Sequence, residues 1–268
     1  MKRLLFVFAS AALLVGGCQQ ASAPVAPFPS KATVPAQTSA GAKGLAYWPT
    51  DDVFPGLGQL SGWKDFPKHN AERRALFAQH AGEEHDGVVF VGDSITEGWH
   101  TLQSDFADVG VKIVNRGIGG DTTPNLLYRL QDDVLSLHPR ALVLLIGTND
   151  LGQHTSPADI MTNLKEVLRR IRAQYPKIPI AWCLVMPRGD GTEPNHYPPE
   201  IHALNALIRE AAATDRLITV CDTYSPLAAP DGKDNPADFV PDHLHLNANG
   251  YAAWRTALHP IVAGWNLK

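Results

Sequence analysis

Five short apolar runs recur along the chain, at 88–91, 111–114, 141–146, 178–184 and 217–220, and each reads as a strand buried on both faces. Longer stretches with apolar residues at helical spacing lie between them, at 122–135, 157–174 and 199–213, and 250–262 closes the chain in the same pattern. Strands alternating with helices imply a parallel sheet with helices on both faces. The spacing also predicts a helix over 69–81, in a less regular lead-in that carries Trp48 and Trp63. There is no internal repeat, and one α/β domain from about residue 45 to 268 accounts for the pattern.

The first residues break from it. Lys2 and Arg3 precede an apolar run over 4–15, followed by Gly16, Gly17 and Cys18, and that run is too short to stay in a bilayer as a spanning helix. The segment resembles a bacterial lipoprotein signal, in which cleavage leaves Cys18 first and lipid-modified; an ordinary secretory signal is the alternative, and both export the chain. Gln19 after Cys18, in place of Asp, points to the outer membrane. Residues 19–44 are rich in Ala, Pro, Ser and Thr with almost no aromatic or charged side chains, the composition of a tether that does not fold alone. About 25 extended residues reach roughly 80 to 90 Å, so the domain is expected to stand off a membrane on a lipid anchor.

With 268 residues, 44% hydrophobic content and a formal net charge of −4, the chain supports one sizeable core and carries no basic footprint for nucleic acid. The one close basic cluster, Arg169, Arg170 and Arg172, falls in an amphipathic helix and reads as a solvated face. Cys183 and Cys221 sit at the ends of apolar runs, as buried thiols or as a pair; without a spaced Cys/His set there is no structural zinc motif.

Sites in open parallel sheets form beyond the carboxyl ends of the strands. Three glycine-containing turns are expected there, "VGDSITEGW", "NRGIGGDTT" and "IGTND", and "PDHLHLNANGY" follows the last strand. Ser94 follows a strand directly and opens a helix, as either an N-cap or an exposed nucleophile. Asp242 and His245 are its candidate partners, because a gap of three lets a carboxylate reach one ring nitrogen and leaves the other for a hydroxyl. His243 and His245 form an HxH pair that could instead begin a metal site, although no second set of ligands completes it. The glycine turn could serve an oxyanion, packing or phosphate, but it lacks GxGxxG spacing and a Lys-Ser/Thr ending. Asn149 is either a turn former or an amide donor. Asn247 is expected to cap the final helix, and Trp99 and Tyr197 flank the site regions, more in the manner of packing residues.

Taken together, "GDS", the Gly before "DTT", "GTND" and "DHLH" resemble the four blocks of the SGNH or GDSL hydrolase superfamily, in its order, from about Trp63 onward. "NRGIGGDTT", "YRLQ", "MPRG" and "HLNANGY" are similar to its branch of platelet-activating-factor acetylhydrolase catalytic subunits. The resemblance implies a flavodoxin-like three-layer α/β/α sandwich around a five-stranded parallel sheet, and no metal or other cofactor. It assigns Ser94 as nucleophile, His245 as base and Asp242 as its orienting acid, with Gly120, Asn149 and the Ser94 N–H as the oxyanion hole. The expected activity is a serine esterase acting on short, chiefly acetyl, esters, with an O-acyltransferase, a phospholipase-type esterase or a non-catalytic binding lipoprotein as alternatives. That branch is cytosolic, so the export signal here turns attention to acetylated glycans alongside small esters and lipids. The sequence leaves oligomeric state open.

Overall fold

The computed structural model describes residues 56–189 and 197–267. The expected signal with Cys18, the expected 19–44 tether and Trp48 lie outside these residues, as does the side chain of Tyr197. Five strands, β1 (Val88–Gly92), β2 (Ile113–Gly117), β3 (Ala141–Leu145), β4 (Ile180–Cys183) and β5 (Ile218–Cys221), form one parallel sheet in the order β2-β1-β3-β4-β5. The helices are α1 (Phe66–His80), α2 (Ser94–Glu97), α3 (Leu102–Asp105), α4 (Thr123–Asp133), α5 (Thr148–Gly152), α6 (Pro157–Gln174), α7 (Tyr197–Ala212) and α8 (Ala248–Gly264).

Alternation along each strand splits the core in two. Val89, Val91, Leu142, Leu144, Ile180 and Trp182 face a layer built from α4, α6 and α7. Val88, Phe90, Val143, Leu145, Ala181 and Cys183 face the opposite layer, where Trp99, Leu102 and Phe106 meet Trp254, Leu258 and Val262 of α8. Successive side chains point to opposite faces of a strand, so continuous apolar runs are what a sheet covered on both sides requires. Cys183 and Cys221 are buried free thiols paired in register across β4 and β5.

The expected elements are present with shifted ends. The largest shift is in β2, which the sequence places at 111–114. Its ladder on β1 instead runs from Val88–Ile113 to Gly92–Gly117, so the polar residues Asn115, Arg116 and Gly117 belong to the strand. Their partners come from elsewhere in the fold. Asn115 Nδ2 donates to Thr96 O, and the buried Arg116 guanidinium donates to Glu84 Oε2 at 2.5 Å and lies 4.4 Å from the centre of the Phe77 ring. The basic cluster on α6 also differs from a purely solvated face. Arg169 pairs with Glu166 at the surface, whereas Arg172 turns inward to Asp215 Oδ2 (2.6 Å) and Ile178 O (2.5 Å).

The lead-in is bound to the domain through its backbone. Asn163 of α6 grips Leu57 in both directions, accepting from its N–H and donating to its C=O, each at 2.7 Å, and also donates to Thr123 Oγ1. Gln59 O accepts from Thr122 Oγ1, and Ser61 N–H donates to Asn125 Oδ1. Residues 57–61 are thereby laid along the start of α4. Removing a buried amide that makes three such bonds typically costs about 1 to 3 kcal/mol. Asn163→Ala is therefore expected to lower the melting temperature and to open the chain near Leu57 to limited proteolysis; an unchanged cleavage pattern would show that the lead-in is held by other contacts.

Candidate active site

The carboxyl ends of β1, β2 and β3 each lead within a few residues to one of the candidate residues, Ser94 at the start of α2, Gly120 in the loop before α4 and Asn149 in α5. After Gly92 the chain turns at Asp93, whose Oδ1 accepts from Ile95 N–H at 2.9 Å, so Asp93 is the N-cap of α2. Ser94 is thus the first helical residue rather than the cap. Its hydroxyl is free of capping duty and lies 2.7 Å from His245 Nε2. His245 Nδ1 lies 2.6 Å from Asp242 Oδ2, and Asp242 Oδ1 accepts from the N–H groups of Leu244 and His245, each at 2.9 Å. An ionised carboxylate only accepts, so Nδ1 carries the proton and Nε2 accepts from the Ser94 hydroxyl. Although burial works to raise the Asp242 carboxyl, the hydrogen bonds from the His245 ring and these backbone groups hold it below the usual carboxylate range.

The two histidines of the HxH pair do not share a ligand. His243 adopts φ +58, in the left-handed region, so the segment is not extended and the two rings serve different carboxylates. His243 Nδ1 lies 2.8 Å from the buried Asp234, and its carbonyl accepts from Gly189 N–H. Among the described residues no group of three or more His, Cys, Asp or Glu side chains could hold a metal. The loop is anchored at its far end by Asn247, which caps α8 as expected by accepting from Asn249 and Gly250 N–H and also donates to Ala237 O and Phe239 O. Tyr251, one turn on, donates to Ile95 O at 2.9 Å and so ties this loop to the Ser94 turn.

Gly120 sits at φ +80, where a side chain would be strained, and any Cβ there would meet Phe66, Ser61 and Trp63. Asn149 Nδ2 donates one hydrogen to Asp121 O at 2.9 Å; an amide carries two, so the second is available to a ligand. Ser94, Gly120 and Asn149 are each partly exposed, whereas their supports are buried. Trp99 is buried against Trp254, Phe90 and Phe106, which makes it packing. Trp63 is different: it is 47% exposed, with its ring 5.3 Å from that of His69 and its edge against Gly120.

Beneath these groups lie three buried carboxylates that the sequence pattern does not single out as a set. Burial pushes Asp93 up to about 6, against the pull of its Ile95 hydrogen bond and of His245. It pushes Asp150 up to about 6, although Thr123 donates to it through both its N–H and hydroxyl. Asp121 is likewise raised by burial, to about 7, with Arg129 at 2.6 Å pulling it back toward the ionised form. A sequence signal does exist for Arg129: it lies one turn after the apolar Leu126 on α4, on a face where a charge needs a buried partner.

The GDSL-like Lipase/Acylhydrolase family model matches residues 90–253. The chain is 29% identical over 193 residues to platelet-activating factor acetylhydrolase IB subunit alpha1 of Pongo abelii, covering 69% of this chain and 79% of that one. It is 28% identical to the human alpha2 subunit over 182 residues, covering 65% and 75%. Its fold is similar to that of a GDSL-like lipase from Bacteroides thetaiotaomicron, with a TM-score of 0.61 and 27% identity over 75% of this chain and 98% of the other.

The electrostatics of Asp93 yield a prediction with a definite sign. A carboxyl whose folded pKa of about 6 exceeds its unfolded value of 3.8 binds its proton more tightly when folded, so its contribution to stability falls as pH rises through that window. Asp93→Asn keeps the capping oxygen and abolishes this titration. The variant is expected to gain stability relative to the parent between pH 4 and pH 7 in denaturant titrations. A difference that is flat with pH would mean that Asp93 is ionised at no cost.

Proposed function

The chain belongs to the GDSL-like lipase/acylhydrolase family and is a carboxylic ester hydrolase, and from that premise we propose that it removes short acyl groups, chiefly acetyl, through a covalent intermediate on Ser94. The reading rests above all on one observation, the unbroken run of hydrogen bonds from Asp242 through His245 to Ser94. His245 Nε2 takes the hydroxyl proton as Ser94 Oγ attacks the ester carbonyl, and Asp242 stabilises the imidazolium. The tetrahedral oxyanion is held by the N–H groups of Ser94 and Gly120 and by the free hydrogen of Asn149 Nδ2. Collapse expels the alcohol with the proton from His245. The same nitrogen then activates water, which attacks the acyl-enzyme and releases the acid and free Ser94.

The acetyl preference draws on the similarity to platelet-activating factor acetylhydrolase subunits. For the alcohol portion, the exposed Trp63 beside Gly120 favours a group with a flat apolar face, such as a sugar ring or an aryl group. Lys2, Arg3, the apolar run after them and Cys18 support export as a lipid-anchored protein, outer-membrane-facing by Gln19, which brings acetylated envelope glycans within reach.

Ser94→Ala is expected to abolish both hydrolysis of p-nitrophenyl acetate and labelling by a fluorophosphonate, while Asn149→Ala loses about 10² to 10³ in kcat. Full turnover by the Ser94 variant would end the proposal, and a preference for long chains across a p-nitrophenyl ester series would end its acetyl part. His245→Ala is expected to lose nearly all activity and His243→Ala to keep most of it; equal losses, restored by zinc, would instead make the pair metal ligands.

A further inference from the structure

Glu97 lies one turn beyond Ser94 on α2, and its carboxylate reaches the loop that carries Gly120. Its Oε2 accepts from the backbone N–H of Gly119 at 2.5 Å and from His69 Nε2 at 2.9 Å, while Oε1 pairs with Arg73 Nε at 3.1 Å. Arg73 also donates to Gly117 O at 3.0 Å, the last carbonyl of β2. The backbone joins the same junction, since a Cβ on Gly117 would collide with Glu97 N and Asp93 O. Gly120, the next residue after the one gripped, has φ +80, and its own N–H finds no hydrogen-bond partner among the described residues. One carboxylate therefore spans the helix that presents Ser94 and the loop that presents Gly120, and two side chains of α1 brace it. His69 and Arg73 precede the stretch matched by the family model, which begins at residue 90.

We infer that Glu97 is a positioning residue for the oxyanion loop: by holding the Gly119 N–H it sets where the Gly120 N–H points relative to Ser94. The inference rests on the proposed roles of Ser94, Gly120 and Asn149. An oxyanion donor works through placement, and a displacement of about 1 Å at such a position can cost on the order of 10² in rate. A grip made in the ground state and the transition state alike orients the donor without contacting substrate, so its loss should fall on kcat and spare KM.

Two conservative variants separate this role from simple charge balance. Glu97→Gln keeps a side-chain oxygen at the same reach and discards the charge, whereas Glu97→Asp keeps the charge but is shorter by one carbon–carbon bond, about 1.5 Å. With p-nitrophenyl acetate the Gln variant is expected to stay within about tenfold of the parent kcat and the Asp variant to fall about 10²-fold, with KM changed less than about threefold in both. Combined with Asn149→Ala, the Asp substitution should add less than its full single effect, because both weaken the same oxyanion contact. Melting temperatures identify the variants that are folded, and the comparison uses these. The opposite order, with Asp active and Gln impaired, would overturn the inference, as would full multiplicativity with Asn149→Ala or a loss confined to KM. If Asn149→Ala itself keeps full activity, the oxyanion reading has failed and the role of Glu97 in it falls too; a crippled Asn149 variant beside an unaffected Glu97→Asp sinks the inference alone.

Discussion

The site is organised by a buried ion pair. Arg129 and Asp121 are both fully buried, 2.6 Å apart, and the Arg129 guanidinium also donates to Gly92 O and Arg116 O. Those carbonyls lie at the carboxyl ends of β1 and β2, the two strands that lead to Ser94 and Gly120. Asp121 extends the network, since its carbonyl accepts the Asn149 side chain from the start of α5, just after β3. Three segments that meet nowhere in sequence are thus referred to a single guanidinium. Stranding either charge would cost about 3 to 5 kcal/mol, because both side chains are fully buried. The rigid planar fork of arginine suits this task, donating in several fixed directions at once, and lysine does not offer that geometry.

Around that pair the fold divides labour between its layers. The α4, α6 and α7 layer carries the apolar mass on one side of the sheet, and Trp99, Trp254 and their neighbours carry it on the other. The polar groups gather where the strands end. Asp93, Asp121 and Asp150 are costly to bury, and each is held by a donor: Asp93 by Ile95 N–H in its own turn, Asp121 by Arg129 and Asp150 by Thr123 from α4. Such groups give a loop one preferred arrangement in place of several, which a site needs if donors are to be set before substrate arrives.

The loop that carries Asp242 and His245 is held differently, by its own turn and by α8. Asp242 ties down the backbone of the two residues it shares a turn with, and His243 in the left-handed region rotates its ring away to Asp234. Asn247 and Tyr251 then fix the loop to α8 and to the Ser94 turn. The two histidines of "DHLHLNANGY" thereby take separate partners. His243 secures one flank of the loop, and Asp242 with His245 forms the other.

Much of this was legible before any coordinates. Apolar runs of strand length alternating with helical spacing point to a doubly covered parallel sheet, and β1, β3 and β4 are buried on both faces as that pattern implies, whereas the edge strand β5 leaves Thr219 exposed. The three-residue gap between Asp242 and His245 allows their pairing within one local turn, and the structure makes it. The motifs also named His245 as the partner of Ser94, 151 residues away, but most other contacts across large separations were decided by tertiary structure. The residues Asn115, Arg116 and Gly117 looked like a turn, and became strand because Thr96, Glu84 and Phe77 supply partners from distant segments. Ser94 was freed from capping by Asp93, a matter of one residue in where a helix begins. The HxH spacing suggested two ligands facing together, and one left-handed residue reversed that. The bracing of Gly119 by Glu97, His69 and Arg73 leaves no periodic trace in the chain. Local pattern records what neighbours in sequence do to one another, while long-range polar pairing depends on which segments the sheet order brings side by side.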